Sequence, residues 1–539
     1  MAHETFPSSW PDPAARASVL LPTARGAADR SVLGPPMDDA TFTDLGLDAA
    51  EARLRARVPA GLADVLRRPL LTPEAVAHRQ QVVRDLLRPD AHAAAQALVA
   101  AMDRVRLLLD RAEAVREPRA RELWALHAGT AYVEIVRATA ERLAGLPVRS
   151  EALASLAEHL RDVVASLAFT DLDRACASAE AQVAALRVSV LVRGARVTVS
   201  EPRGEPDLGA LIASTFERFA PSASPGGAGP TAAGTSPGDA ADVDDSGIWL
   251  DRVQAAVLDR TAVVSPEVFS AVAEAVRHVS AVVPDATLAQ VEGELRALLA
   301  WDDLLAPARR AGLSTCLPEV GPPGGGMEAR DVWDVSVALQ ILPDGQVIAN
   351  DLVLDGPERV LVVTGPNHGG KTTTARTFGQ LHHLASLGLP VPGRRVRLVL
   401  ADRVLTVFDR AETSDHLGGR LGDELERVHR MFDALGPRSV AVLNEVFSST
   451  ALPDAELLGG RVIARLVEAG VPAVYVTFVD GLSRLSEATV SMVGQVDPED
   501  PTRRTFRVER RTADGRAYAS ALARRHGLSP DQLSRRLTP

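Results

Sequence analysis

The chain has 539 residues, 46% of them hydrophobic and 24% charged, with a formal net charge of −11. That length predicts two to four domains of ordinary size. No apolar run approaches the roughly 18 to 20 residues that cross a bilayer, and Met1 to Pro13 lack the basic and apolar regions of a secretory signal, so a cytoplasmic protein is expected. The acid-rich balance excludes a wholly basic nucleic-acid module, and any contact with DNA must come from a local patch.

In chain order, residues 1–36 are rich in Pro, Ala and Ser and read as a flexible leader. From 37 to about 190 apolar residues recur at three- and four-residue spacing, in Ala49–Arg57, Pro73–Leu87, Ala93–Val115 and Ala152–Leu167, which predicts helices. Thr72-Pro73-Glu74 has the form of an N-cap followed by proline at the first helical position. Leu186 to Val199 then alternates, with Gly194 at the turn, and predicts a β-hairpin within 186–202. Residues 221–247 carry almost nothing to bury and read as a disordered insertion. Helical spacing resumes from Ile248 to about Gly312.

From about 330 the texture becomes α/β. Val332–Leu342 and Arg359–Val363 read as strands and Thr372 to Leu387 as a helix. Val396–Leu400, Val440–Leu443 and Ala473–Thr477 are short apolar runs of the kind found in buried, mostly parallel sheets. Pro453 to Glu468 reads as a helix.

One count carries unusual weight. Of 59 basic residues, all but one are arginine, and the single lysine is Lys371. A bias that spares one lysine marks a position where a planar guanidinium fails and a compact ammonium works. Lys371 lies in Val360-Leu-Val-Val-Thr-Gly-Pro-Asn-His-Gly-Gly-Lys-Thr-Thr, which fits the phosphate-loop pattern G-x-x-x-x-G-K-[ST] with an apolar strand before it and a helix after it. Backbone N–H groups of Gly365, Asn367, His368, Gly369 and Gly370 are expected to line the phosphate cradle, with Pro366 shaping its turn and Thr373 following on the helix. Lys371 is expected to neutralise the β- and γ-phosphates of ATP and the Thr372 hydroxyl to ligate Mg²⁺. Downstream, Ser439-Val-Ala-Val-Leu-Asn-Glu is an apolar strand ending in Glu445, placed to polarise the attacking water. Asn444 stands where an aspartate is usual and is expected to contact a Mg²⁺-bound water.

Two other features suggest chemistry less strongly. Adjacent helical histidines, His382 and His383, do not face one ligand and are expected to be structural. The C-terminal arginines, among them Arg503, Arg504, Arg507, Arg510 and Arg511, form the densest basic stretch; a solvated face is expected, with phosphate contact or inter-subunit pairing as the alternative. The two cysteines, Cys176 and Cys316, show no metal-ligand spacing.

Thr364-Gly-Pro-Asn-His-Gly-Gly-Lys-Thr-Thr resembles the phosphate loop of the MutS family of DNA mismatch repair ATPases, which normally reads Thr-Gly-Pro-Asn-Met-Gly-Gly-Lys-Ser-Thr. Asn350-Asp351 matches an Asn-Asp pair before that loop, so Val347 and Ile348 would flank the adenine. Asn444-Glu-Val-Phe-Ser-Ser-Thr-Ala-Leu-Pro-Asp454 is similar to the family's acidic stretch and D-loop, with Thr450 and Asp454 in register. Thr477 matches the Thr of a Thr-His motif whose His is here Phe478. Where the family's signature loop carries a serine for the partner subunit's γ-phosphate, this chain has Gly419 and Arg420.

Phe42-Thr-Asp-Leu-Gly-Leu-Asp, Leu66-Arg-Arg-Pro-Leu-Leu-Thr-Pro-Glu and Arg79 resemble the start of the family's helical core. The resemblance implies a C-terminal α/β P-loop NTPase domain of ABC-like type, 316–539, preceded by a mostly α-helical core and lever domain, 37–315. It implies a homodimer using ATP and Mg²⁺, ending in a helical dimerisation segment near Ala517 to Leu537, with DNA as partner. The mismatch-reading N-terminal domain is expected to be missing, and 186–247 occupies the place of the DNA clamp. An acid-rich nucleotide-gated switch for a protein partner is the alternative.

Overall fold

The computed structural model describes residues 17–201 and 252–513, apart from 25–26, 60–61, 63–64, 194–195, 368, 410–418 and 498–503. The expected insertion at 221–247, the Gly194 turn and the C-terminal helical segment lie outside the described residues. The chain divides into two compact units, one built on Leu86–Glu292 and the other on Ser9–Asp85 with Gly293–Pro539.

The first unit is helical. Its helices Pro89–Ala114, Pro118–Gly145 and Pro266–Val282 each start on a proline, whose missing N–H costs nothing at a helix start. Helix Leu167–Ala185 is capped by Ser166, which accepts a hydrogen bond from the Phe169 N–H. Gly129 marks the tightest crossing: a Cβ there would lie 2.3 Å from Val279 and 3.0 Å from the Cys176 thiol. Ser189–Arg193 and Arg196–Ser200 form an antiparallel pair with Val190 opposite Val199.

The second unit is a mixed α/β structure around a largely parallel six-stranded sheet. Its strands are β1 (Val360–Thr364), β2 (Arg403–Phe408), β3 (Ser439–Asn444), β4 (Ala473–Val476), β5 (Thr489–Val496) and β6 (Arg504–Arg510). The order across the sheet is β2-β3-β4-β1-β5-β6, parallel except for β6, which runs antiparallel to β5. Every residue of β1, β3 and β4 is buried, which is why these strands read as continuous apolar runs. Helices α1 (Lys371–Ser386), α2 (Gly419–Asp433) and α3 (Leu452–Glu468) follow β1, β2 and β3.

Three expectations are corrected here. Val332–Leu342 is not a strand: Met327–Val332 is, and Val335–Ile341 is a helix, because the Asp334 carboxylate accepts the N–H groups of Ser336 and Val337 and starts a turn. The run Val396–Leu400 does not join the large sheet. Arg395–Val399 belongs to a four-stranded sheet with Glu319–Gly321, Met327–Val332 and Asn350–Leu354.

The third correction concerns the leader, which is built in from Ala17 onward. Val19, Leu20 and Leu21 are fully buried. Ser18 Oγ and the Val19 N–H donate to the buried Glu294 carboxylate at 2.8 and 2.7 Å. The next helices pack against α1: Gln380 Nε2 donates to Leu45 O at 2.8 Å, and fully buried Arg79 donates to Leu20 O and Leu387 O.

Candidate nucleotide site

The loop between β1 and α1 is shaped by glycines that nothing else could replace. Gly365 has φ +123°, and a Cβ there would lie 2.9 Å from Gly494 N and 3.1 Å from its Cα and O. Gly370, at φ +91°, is the left-handed residue that starts α1, and a Cβ there would come within 3.3 Å of Phe506 O. Both are conformations that L side chains rarely adopt. Buried Pro366 accepts the Gly369 N–H at 3.2 Å and closes the turn. His368 lies outside the described residues.

Lys371 folds back into this loop. Its Nζ donates to Gly365 O at 2.9 Å and to Asn367 Oδ1 at 3.2 Å, and its side chain is 5% exposed. Glu445 Oε1 is 3.9 Å away. Burial pushes the ammonium below the ordinary lysine range, the Glu445 carboxylate opposes that shift, and the Arg504 guanidinium adds to it. Thr372 and Thr373 follow, both half-buried, on the first turn of α1.

The sheet register brings the remaining predicted groups to the same edge. Asn444 pairs with Val476, and Val476 with Val363, so the carboxyl ends of β3, β4 and β1 line up. Ligands of open α/β sheets bind at that edge. The Glu445 N–H donates to Val476 O at 3.0 Å, and Glu445 sits at φ +55°, a turn that leaves its carboxylate partly exposed. Thr477 donates its N–H to Val363 O and is buried, while Phe478 projects to the surface.

Two polar atoms at this edge, Thr364 Oγ1 and Asn444 Oδ1, are buried with no hydrogen-bond partner among the described residues. Such orphans are rare and call for a partner. An orphaned Asn444 oxygen beside a glycine cradle, a lysine and a carboxylate fits a Mg²⁺-phosphate group.

The other predicted residues sit further out. Ile348 is half-buried, just before the strand Asn350–Leu354. That segment is tied to β6 by Asn350, whose Oδ1 accepts the Val508 N–H at 2.8 Å and whose Nδ2 donates to Phe506 O at 3.3 Å. Asp351 pairs instead with Arg330 at 3.0 Å. Asp454 is exposed on the first turn of α3, and Thr450 is half-buried before it. Arg420, on the first turn of α2, pairs with Asp409 and Glu424 of the same chain.

Glu424 had no signal in the sequence. It is one acidic residue among many on an amphipathic helix, yet it is buried and accepts the Phe447 N–H at 2.9 Å and the Ser449 hydroxyl at 3.3 Å. It thereby holds the turn that follows Glu445. The histidine pair is structural: His383 Nε2 donates to Leu66 O at 2.6 Å, and the His382 ring lies 4.9 Å from that of Phe378.

No family model matches the chain. Among curated proteins, it is 27% identical over 242 residues to the endonuclease MutS2 of Gemmatimonas aurantiaca, covering 44% of this chain and 29% of that one. It is 28% identical over 201 residues to the endonuclease MutS2 of Thermus thermophilus, covering 36% and 26%. It is 31% identical over 155 residues to the DNA mismatch repair protein MutS of Psychrobacter cryohalolentis, covering 28% and 15%. The matched stretch spans less than a third of each of these relatives. Over those stretches the chain is similar to proteins of the MutS family.

Proposed function

We propose that this protein binds and hydrolyses ATP as a MutS-type dimer and couples turnover to DNA in repair or recombination. The observation that carries the reading is Lys371, desolvated and held at 2.9 Å from Gly365 O in a glycine-shaped loop, with Glu445 3.9 Å away. The strand order around the loop supports an ABC-like P-loop NTPase with its chemistry in 316–539, and the lever expected in 37–315 is assigned to the helical unit built on Leu86–Glu292, since the helices before Leu86 share the unit of the large sheet.

Each residue then has a task. The Gly365–Gly370 backbone, with Pro366, Asn367, His368 and Gly369, cradles the phosphates, and Lys371 neutralises the terminal ones. Thr373 continues the helix start, and Ile348 flanks the base. Glu445 takes the proton side of the attacking water. Thr372 would hold Mg²⁺ directly and Asn444 through a water. When bound, the ion supplies charge neutralisation at the phosphoryl oxygens. We assign the protein to the cytoplasm; no helix among the described residues is long and apolar enough to cross a membrane.

The test is nucleotide binding and turnover in wild type, Lys371→Ala and Glu445→Ala. Lys371→Ala is expected to lose binding, and Glu445→Ala to keep binding and lose turnover. Unchanged hydrolysis in either removes the assignment. A second reading, a nucleotide-gated switch for a protein partner, draws on the net charge of −11. Turnover measured with duplex, forked and four-way DNA across a salt series separates the two, because DNA binding must weaken with salt by counterion release.

A further inference from the structure

The strand β6 does more than finish the sheet. It begins with Arg504, whose Nε donates to Asn367 O of the phosphate loop at 3.1 Å. Two irregularities bring it there. The β5–β6 register shifts between Gly494 and Val496, where Val496 pairs with Arg504, and Phe506 adopts φ +58°. Phe506 O then lies so close to Gly370 that a Cβ on Gly370 would be 3.3 Å from it. Asn350 fixes this arrangement with bonds to Phe506 O and the Val508 N–H. The guanidinium of Arg504 is therefore held beside the same loop as the ammonium of Lys371.

Two cations brought to one loop repel each other at a cost that falls when an anion lies between them. Among the described residues the carboxylate paired with Lys371 is that of Glu445, which lies 3.9 Å from it and supplies one negative charge. A bound di- or triphosphate supplies more, and a guanidinium binds phosphate oxygens through paired donors.

We propose that Arg504 is a second phosphate-binding cation of this site, supplied by β6 of the same chain to act alongside Lys371 on the terminal phosphates. This rests on the ATP-binding reading above. The alternative is that Arg504 only buttresses the loop through its bond to Asn367 O.

The test measures ATP and ADP affinity for wild type, R504A, R504Q, R504K and K371A at several potassium chloride concentrations. Phosphate recognition predicts that R504A and R504Q weaken ATP about tenfold and ADP less, and that both flatten the salt dependence of binding. R504K, which keeps the charge, regains most of the loss. Equal losses for ATP and ADP with an unchanged salt slope, or no loss at all, overturn the proposal while wild-type binding and its loss in K371A leave the ATP reading standing. If wild type and K371A both fail to bind nucleotide, the ATP reading fails first. Should R504A not fold, R504K and R504Q carry the same comparison.

Discussion

Lys371 and Glu445 face each other at the carboxyl edge of the large sheet, Nζ to Oε1 at 3.9 Å, although one opens helix α1 and the other follows strand β3. The ammonium is buried and donates its hydrogen bonds to the loop itself, whereas the carboxylate is partly open to solvent. Attraction between them offsets part of the desolvation that depresses the lysine. The cation is thus confined and the carboxylate remains reachable by water.

Confinement predicts that charge alone does not suffice at 371. Lys371→Arg keeps the positive charge but must fit a planar fork where Nζ now meets Gly365 O and Asn367 Oδ1. ATP affinity is expected to fall about 100-fold, equivalent to about 2.7 kcal/mol. Titration calorimetry checks this, and wild-type affinity in the arginine variant would remove the argument from the lone lysine.

Asn444 offers a gain-of-charge test. Its Oδ1 is buried without a partner among the described residues, at the end of β3 where a carboxylate would face the same edge. Asn444→Asp is expected to lower the Mg²⁺ concentration for half-maximal turnover about tenfold, because hard cations favour anionic oxygen. A magnesium titration of ATPase rate reads this directly, and an unchanged midpoint would place Asn444 away from the ion.

The loop's dependence on glycine can be measured as stability. Gly365→Ala puts a methyl group 2.9 Å from Gly494 N at a φ of +123°. Backbone strain of this kind costs about 1–3 kcal/mol, and the collision with β5 adds to it. Denaturant unfolding should show the loss together with absent nucleotide binding. A variant of full stability would mean that β5 moves aside freely.

The histidines of α1 predict an acid-side weakness. Burial lowers His382 from 6.5 to about 3 and His383 from 6.5 to about 4. Both are neutral in either state above pH 6.5, so stability there does not depend on them. As pH falls below 6.5 the unfolded chain takes up two protons that the folded one refuses, and stability drops by about 2.7 kcal/mol per pH unit between roughly pH 6 and 4. Unfolding midpoints measured from pH 7.5 to 4.5 should show this slope, and His382→Leu with His383→Gln should flatten it.

Local order along the chain was enough to find the strand, glycine loop and helix around Lys371, since its glycines, lysine and threonine are close in sequence and its strand and helix are neighbours. The ends of β3 and β4 were equally legible, because strands buried on both faces must be continuously apolar. Arg420 was legible as a departure from the family pattern, but its pairing with Asp409 and Glu424 was not. The helix Val335–Ile341 was misread because its composition suits a strand and only the Asp334 cap decides otherwise.

What sequence alone determined about this protein is what is contiguous: a glycine-rich turn between a strand and a helix, the chain's one lysine at its end, and a buried strand followed by an acid. Only the tertiary structure decided which distant groups share that space. Sheet order set Asn444, Val476 and Val363 side by side across three strands. A bulge and a left-handed phenylalanine turned β6 toward the loop, so that Arg504, one arginine among dozens in the sequence, became a neighbour of Asn367. The same packing buried Val19 to Leu21 against an acid nearly three hundred residues away. Residue types state what a side chain is able to do, but proximity between remote segments depends on strand pairing and burial summed over the whole unit, which no local pattern records.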